Sequence, residues 1–315
     1  MTDFAYQITA DGVTVISANE ALAAQGFTWI HFASAEDETI TWLTDTAKLN
    51  EVIVETLTAT ESRPRCDVFE NGSFINLRGL SSEKLTSVDP LASIRLWAAK
   101  DRVISVTRKE LTSLVEVRRD VEAGMIRDPG DLIAAIASEI TSELDPEVAD
   151  LGDSLDDCEL GIDVNRVFEL RQQVTKVRSR SIGYRRFLNP QRAALEKLAN
   201  LDAEWLEADD HIHLATAADR AARMAEELES IRERASLMHD ALTDLRAEQI
   251  DTRSLLISIG AMIFLPLTFV TGLYGMNVEG IWFANQPWAF DAIVAFCVLL
   301  SAAVAGYFIR QHWFH

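Results

Sequence analysis

The sequence predicts an α+β cytoplasmic domain, an all-α stalk and two C-terminal transmembrane helices, and three observations carry that reading. Two apolar stretches near the C-terminus are about long enough to cross a bilayer, a segment of helical periodicity poor in glycine and proline leads into the first, and short β-type runs fill the N-terminal third.

The membrane spans are the firmest element. After Arg253 no charged residue appears until Glu279, and Ser254 to Leu273, at 1.5 Å per residue, covers a hydrocarbon core of about 30 Å. A second run, Ala292 to Ile309, gains length from the residues before it and has Trp288 at an interfacial position. Arg253 precedes the first span, Arg310 follows the second, and the connection between them carries Glu279 but no Lys or Arg. The positive-inside rule therefore puts both chain ends in the cytoplasm, at the inner membrane, with the loop from Gly275 to Pro287 outside.

Ahead of the spans, a stalk helix is expected from about Asp209 into the membrane, because no proline intervenes between Pro190 and Pro266 and no glycine until Gly260. Leu206, Ile212, Met224, Leu228, Ile231, Met238, Leu242, Leu245 and Ile250 recur along it at helix-like intervals. Such a rod is roughly 90 to 100 Å long and needs neighbours throughout. Symmetric copies around an axis supply them, as does a two-stranded coiled coil.

Before the stalk, residues 111–200 read as helical, with a start at Asp128-Pro129. Asp128 to Asp163 holds 12 carboxylates and no Lys or Arg, whereas Arg166 to Arg192 is basic apart from Glu169. Two such helices joined near Gly161 pair as a hairpin through Val164, Val167, Val174 and Val177, either simply neutralising each other or concentrating cations near an ion path. Residues 1–110 read as the α/β domain. The runs FTWIHF, DVFE, SFINLRGL, RLWAAK and RVISVTR surround one helical segment, AKLNEVIVETLTA, with tight turns expected at Asn71-Gly72 and Asp101-Arg102.

Composition narrows the function. A net charge of -20 repels nucleic acid and anionic lipid headgroups and favours cations, although acidity also serves solubility. Cys66, Cys158 and Cys297 form neither a disulfide framework nor a metal motif, and Met1 to Ala10 has no signal-peptide pattern. No phosphate-binding glycine loop or nucleophile motif is present, so neither an enzyme nor a resident cofactor is expected.

The most specific segment is TGLYGMNVEG, which places Gly275, Met276, Asn277 and Glu279 directly beyond the first span. Gly-Met-Asn at that place, on a chain of this architecture, resembles the signature of the CorA metal-ion transporter superfamily. Within it, RRFLNPQRAALEKLA (Arg185 to Ala199), the following WLEADD, and FLPLTFVTGLYGMNV are similar to the ZntB-like zinc transporter branch. The resemblance covers most of the chain. It implies a CorA-like funnel, a homopentamer in the lipid bilayer, and divalent cations, zinc foremost, as cargo. Many members of that branch carry Gly-Gly-Ile-Pro where this chain has Glu279-Gly280-Ile281-Trp282, which keeps a magnesium or cobalt channel open as the alternative. A membrane-anchored signalling protein is the alternative from another class, and the Gly-Met-Asn loop stands against it.

The chemistry expected of the loop follows from hydration. Copies of the Asn277 side-chain carbonyl, with the main-chain carbonyls of Gly275 and Met276, form an uncharged ring that grips a metal transiently through its water shell. Glu279 and Asp291 raise the cation concentration at the mouth, Asp291 fitting equally a helix-start carboxylate. Counting back from Asn277, Gly272, Thr268, Leu265, Ala261, Ser258 and Ser254 fall near one face, the candidate pore lining. That face has no carboxylate, His or Cys, and so no tight zinc cage. Leu265 reads as a hydrophobic gate or as ordinary packing, and Asp240 as a ring on the cytoplasmic ion path or as a solvated residue. His211 and His213, two apart, point to different helix faces.

Overall fold

Seven strands form one mixed sheet in the computed structural model, which describes residues 2–60, 63–82, 91–163, 166–276, 280–281, 283 and 286–310. The strands are β1 (Phe4–Thr9), β2 (Gly12–Ile16), β3 (Phe27–Phe32), β4 (Arg65–Phe69), β5 (Gly72–Leu80), β6 (Leu91–Ala99) and β7 (Arg102–Thr107). Their order is β2-β1-β3-β7-β6-β5-β4, and every neighbouring pair is antiparallel except β3 with β7. All of β3 is buried, as a strand covered on both faces must be. His31 sits there because its Nδ1 lies 2.8 Å from Ser105 Oγ, which also accepts the Trp29 indole N–H at 2.9 Å. Burial, then the charge of Arg118, pushes the imidazole down to about 3, so it stays neutral.

One sheet face carries Ile30, Phe32, Ile104, Val106, Phe74 and Trp97, packed against Leu43, Ile53, Val54 and Leu57. The covering elements are α1 (Ala18–Ala23), α2 (Asp37–Thr41), a π-helical turn (Trp42–Thr46) and α3 (Glu51–Thr58). Local chemistry starts two of them: Ser17 and Glu20 form a reciprocal capping box on α1, and the Asn50 side chain accepts the Val52 N–H at 2.9 Å on α3. On the opposite face, Gly79 leaves room for Ile140 of α5 (Pro129–Leu160), which follows α4 (Ser113–Glu122).

The remaining helices are α6 (Val167–Ala199), α7 (Ala208–Tyr274) and α8 (Ala289–Arg310). The chain divides into two units, Met1–His239 and Asp240–His315, with α7 contributing to both. In the first unit α7 buries Leu214, Ala221, Met224, Leu228, Ile231, Ala235 and Met238, a run spaced by sevens, threes and fours. Ile212, expected on that face, is exposed, and Leu206 precedes the helix. The hairpin valines Val167, Val174 and Val177 are buried, while Val164 lies outside the described residues. Charge pairing differs from the expected α5–α6 match. Glu147 of α5 meets Arg180 of α6 at 3.2 Å, but Glu159 of α5 meets Arg234 of α7 at 2.7 Å. α7 also shares the acidic helix because Arg220 reaches its Ser138 carbonyl. These pairs are half-exposed and contribute about 1 kcal/mol or less each, so apolar burial dominates.

Two tight turns sit one residue earlier than the sequence suggests. Phe69 pairs with Gly72 and Ala99 with Arg102, which leaves Glu70-Asn71 and Lys100-Asp101 as the turn residues. Gly72 instead opens β5, where a Cβ would overlap the Ala98 carbonyl oxygen and lie 2.8 Å from the Trp97 ring. Gly72→Ala is therefore expected to destabilise the protein by about 1–3 kcal/mol through overpacking, seen as a lower unfolding temperature of the full chain in detergent. An unchanged midpoint would show that β5 and β6 are looser than they look.

Candidate functional site

Two helices, α7 and α8, are long and apolar enough to cross a membrane. Their hydroxyls make that solvent tolerable. Ser258 donates to the Ser254 carbonyl at 2.9 Å, Thr268 to Phe264 at 2.6 Å, Thr271 to Leu267 at 2.9 Å and Ser301 to Cys297 at 2.9 Å. Each proton is satisfied within its own helix, as hydrocarbon demands. Pro266 has no N–H, so the Met262 carbonyl one turn earlier lacks its usual helical donor.

Burial within this unit separates two faces of α7. Ile259 is buried and Leu255, Ile263, Leu267, Val270 and Tyr274 are partly shielded, while Ser254, Ser258, Ala261, Leu265, Thr268 and Gly272 are all exposed. At 100° per residue the two sets lie on roughly opposite sides of the helix. On α8 the less exposed positions are Ala289, Ile293, Cys297, Leu300, Ser301, Val304, Ala305 and Phe308. Each of the two helices thus carries one shielded seam along its length. The six candidate pore residues lie away from the seam of α7, with Leu265 69% exposed.

At the outer end, the Gly275 N–H donates to the Thr271 carbonyl at 2.9 Å and the Met276 N–H to Leu273 at 3.4 Å, closing α7. Met276 is exposed, and Asn277 and Glu279 lie outside the described residues. Asp291 is exposed in the first turn of α8, where a carboxylate also favours the helix dipole. Phe283 and Trp288 pack with ring centroids 5.5 Å apart between the two helices in sequence. Asp240 is exposed on α7. His211 and His213 are separate, the first with Nδ1 2.9 Å from the Ala199 carbonyl, the second with Nε2 3.7 Å from Asp209.

A cluster unforeseen in the sequence joins the starts of two helices. Carboxylate oxygens of Asp128, Asp131 and Asp210 lie within 4.8 Å of one another, the one such group with metal-ligand spacing among the described residues. Their hydrogen bonds fit capping better than a cation cage. Asp128 caps α5 by accepting the Asp131 N–H at 2.9 Å, Asp131 pairs with Arg127 at 2.8 Å, and Asp210 accepts the Glu207 N–H at 2.8 Å just ahead of α7. Gly130 makes the approach possible, because any Cβ there would overlap the Asp210 carboxylate. Asp210 is only 2% exposed, and burial, helped by the neighbouring carboxylates, pushes its pKa up to about 6. Only the helix start at Asp128 was legible in the sequence; nothing there ties it to Asp210.

A family model described as "CorA-like Mg2+ transporter protein" matches residues 24–310. The chain belongs to this CorA-like family. The family consists of transporters, not enzymes. Curated relatives named "Zinc transport protein ZntB" include that of Pectobacterium carotovorum subsp. carotovorum (strain PC1), 27% identical over 98% of this chain and 95% of its own. That of Yersinia enterocolitica serotype O:8 / biotype 1B is 28% identical with the same coverage. Among solved structures, full-length CmaX is 28% identical, with a TM-score of 0.79 over 98% of this chain and 97% of its own. The CorA magnesium transporter of Methanocaldococcus jannaschii, at 17% identity, gives 0.78 over 99% of both chains, a likeness in fold. The CorA-like architecture of α+β domain, long helical stalk and two membrane helices is thus the one the sequence predicted.

The raised pKa of Asp210 has a definite sign. The folded state holds this proton more tightly than the unfolded chain, whose Asp titrates near 3.8. The contribution to stability is full below about 4 and is lost as pH rises through about 6. Asp210→Asn, which keeps an acceptor for the Glu207 N–H, should stabilise the protein at pH 7.5 by about 1–3 kcal/mol and flatten the wild-type decline between pH 4.5 and 7 in denaturation of the full chain. A variant less stable than wild type at pH 7.5 would contradict this.

Proposed function

We propose that this CorA-like protein carries divalent metal cations, zinc foremost, across the cytoplasmic membrane through the central pore of a homopentamer, with both chain ends in the cytoplasm. The observation that carries the reading is the placement of Gly275-Met276-Asn277 at the end of a membrane helix whose Ser254, Ser258, Ala261, Leu265, Thr268 and Gly272 face away from its shielded seam. Around a symmetry axis that face lines the pore. Full-length similarity to proteins named for zinc transport supports the cargo.

The Asn277 carbonyls, with those of Gly275 and Met276, grip the ordered water around the ion without binding the metal as a fixed charge would. Glu279 and Asp291 draw cations to the mouth, and Asp240 does so on the cytoplasmic side. Below the ring, Thr268 spends its proton on its own backbone, so its oxygen is left to accept from the ion's water. Leu265 closes the path by excluding water. A magnesium channel is the second reading, favoured by Glu279, which adds a fixed negative charge beside the ring.

Zinc and magnesium uptake into proteoliposomes, compared across pH gradients, separates these readings. Zinc flux exceeding magnesium flux is expected. Asn277→Ala should abolish uptake while the oligomer persists by size; selective uptake retained in that variant would remove the loop from the mechanism.

A further inference from the structure

The face of the sheet that packs under α3 changes character beyond the end of that helix. In register, Trp97 pairs with Phe74, Arg95 with Asn76 and Ser93 with Arg78, so the apolar face continues directly into a polar one. There a cavity of about 560 Å³ opens between β5, β6, the segments after α3 and β7, and α6. Its described lining holds Arg63, Arg78, Arg95, Arg108, Lys109 and Arg186. Six cations converge in a chain whose net charge is -20.

The arrangement is held from several sides. The Arg78 N–H donates to the Gln191 side chain of α6 at 2.7 Å, its Nη2 donates to the Leu91 carbonyl at 3.0 Å, and its guanidinium lies 3.8 Å from the centre of the Phe187 ring. Arg95 is 2% exposed. Burial foremost, then Arg108 and Arg78, draws its pKa down to about 10, the mark of cations pressed together away from water. Arg63, Arg108 and Arg186 stand exposed at the rim.

We propose that this cavity binds a small oligophosphate, a di- or triphosphate group either free or carried by a nucleotide, at a site independent of the ion path. Guanidinium groups match phosphate oxygens in paired hydrogen bonds, and several of them around one enclosed space suit a ligand with more than one anionic centre. The volume lies within the range of small-molecule pockets. A bound oligophosphate would join the segment after α3 to α6 through Arg63 and Arg186 at the rim.

Calorimetric titration of the full chain in detergent, in buffer stripped of divalent cations that oligophosphates would chelate, tests the site. Pyrophosphate and tripolyphosphate should saturate at one per chain and bind at least tenfold more tightly than inorganic phosphate, with no heat from adenosine. ATP binding tighter than tripolyphosphate identifies a nucleotide as the source, and equal or weaker binding a free oligophosphate. The exposed pair Arg63→Gln and Arg186→Gln together should weaken tripolyphosphate at least tenfold, while Arg119→Gln on α4 should leave it unchanged. Absence of saturable binding, indifference to the double substitution, or equal weakening by Arg119→Gln overturns the proposal. So does binding that emerges only after Glu83→Gln and Asp89→Asn, since carboxylates of the β5–β6 connection would then hold the cavity themselves.

Discussion

Beyond Arg253 the chain has one constraint from which the rest follows: in hydrocarbon each backbone polar group must be satisfied within its own segment. A helix is the form that meets it for a single stretch of chain, and Ser258, Thr268 and Thr271 return their hydroxyl protons to the same ladder. Lipid then permits the exposed Phe264 and Phe269, which water would penalise. The polar positions Ser254, Ser258 and Thr268 share a side of α7 away from its seam. That arrangement suits the proposed pore, because a side carrying weak oxygen acceptors and small residues gains nothing from lipid tails.

The soluble unit handles charge differently from its overall acidity. Carboxylates of α5 are shared out between Arg180 of α6 and Arg234 of α7, so the acidic helix is neutralised from two sides. Excess negative charge survives where three aspartates crowd the starts of α5 and α7, and the protein accommodates it by favouring a proton on Asp210. Positive charge concentrates at the open end of the sheet. Net charge is thus a poor guide to local partners: a chain that repels polyanions overall holds a cavity suited to them.

Legibility in the sequence followed the range of the interactions. The spans were readable because length and the absence of charge from Ser254 to Val278 are local properties. α7 was readable because no proline or glycine lies between Pro190 and Gly260 and because Met224, Leu228, Ile231, Met238 and Leu242, all buried, recur at helix-like intervals along one element. Turns were legible only to within a residue, since Gly72 answers to the neighbouring Ala98 and Trp97, a constraint set across the sheet. Strands read from about residue 27 leave out β1 and β2, although Asp11-Gly12 between alternating runs signalled that hairpin, and Gly12 takes a φ of 135°. The Asp210 cluster and the cationic cavity were invisible because their members are far apart in sequence and meet only through the fold. In the candidate ion path, the grouping of Ser254 to Gly272 on one side follows from helical geometry alone, whereas which side the seam occupies needed the structure.

A face without carboxylate, His or Cys also bears on what kind of transport this chain can support. Thiolate and imidazole ligands arranged tetrahedrally hold zinc tightly, and an ion so held leaves slowly. In the proposed pore, the hydroxyl oxygens of Thr268, Ser258 and Ser254 would offer shallow wells, each able to exchange with water. Discrimination must then reside where several oxygens converge at fixed distance, and a loop closing directly onto α7 through the Gly275 N–H gives the backbone at that end a fixed point of departure. Selectivity for zinc over magnesium in such a pore has to come from the strength with which each ion holds its water. In the proposed pore a neutral ring grips the water shell, which magnesium holds most tightly, while a fixed charge such as Glu279 adds attraction for the cation itself. In the proposed pore, cargo identity therefore depends on how neutral oxygens and the Glu279 charge divide their hold on the hydrated ion.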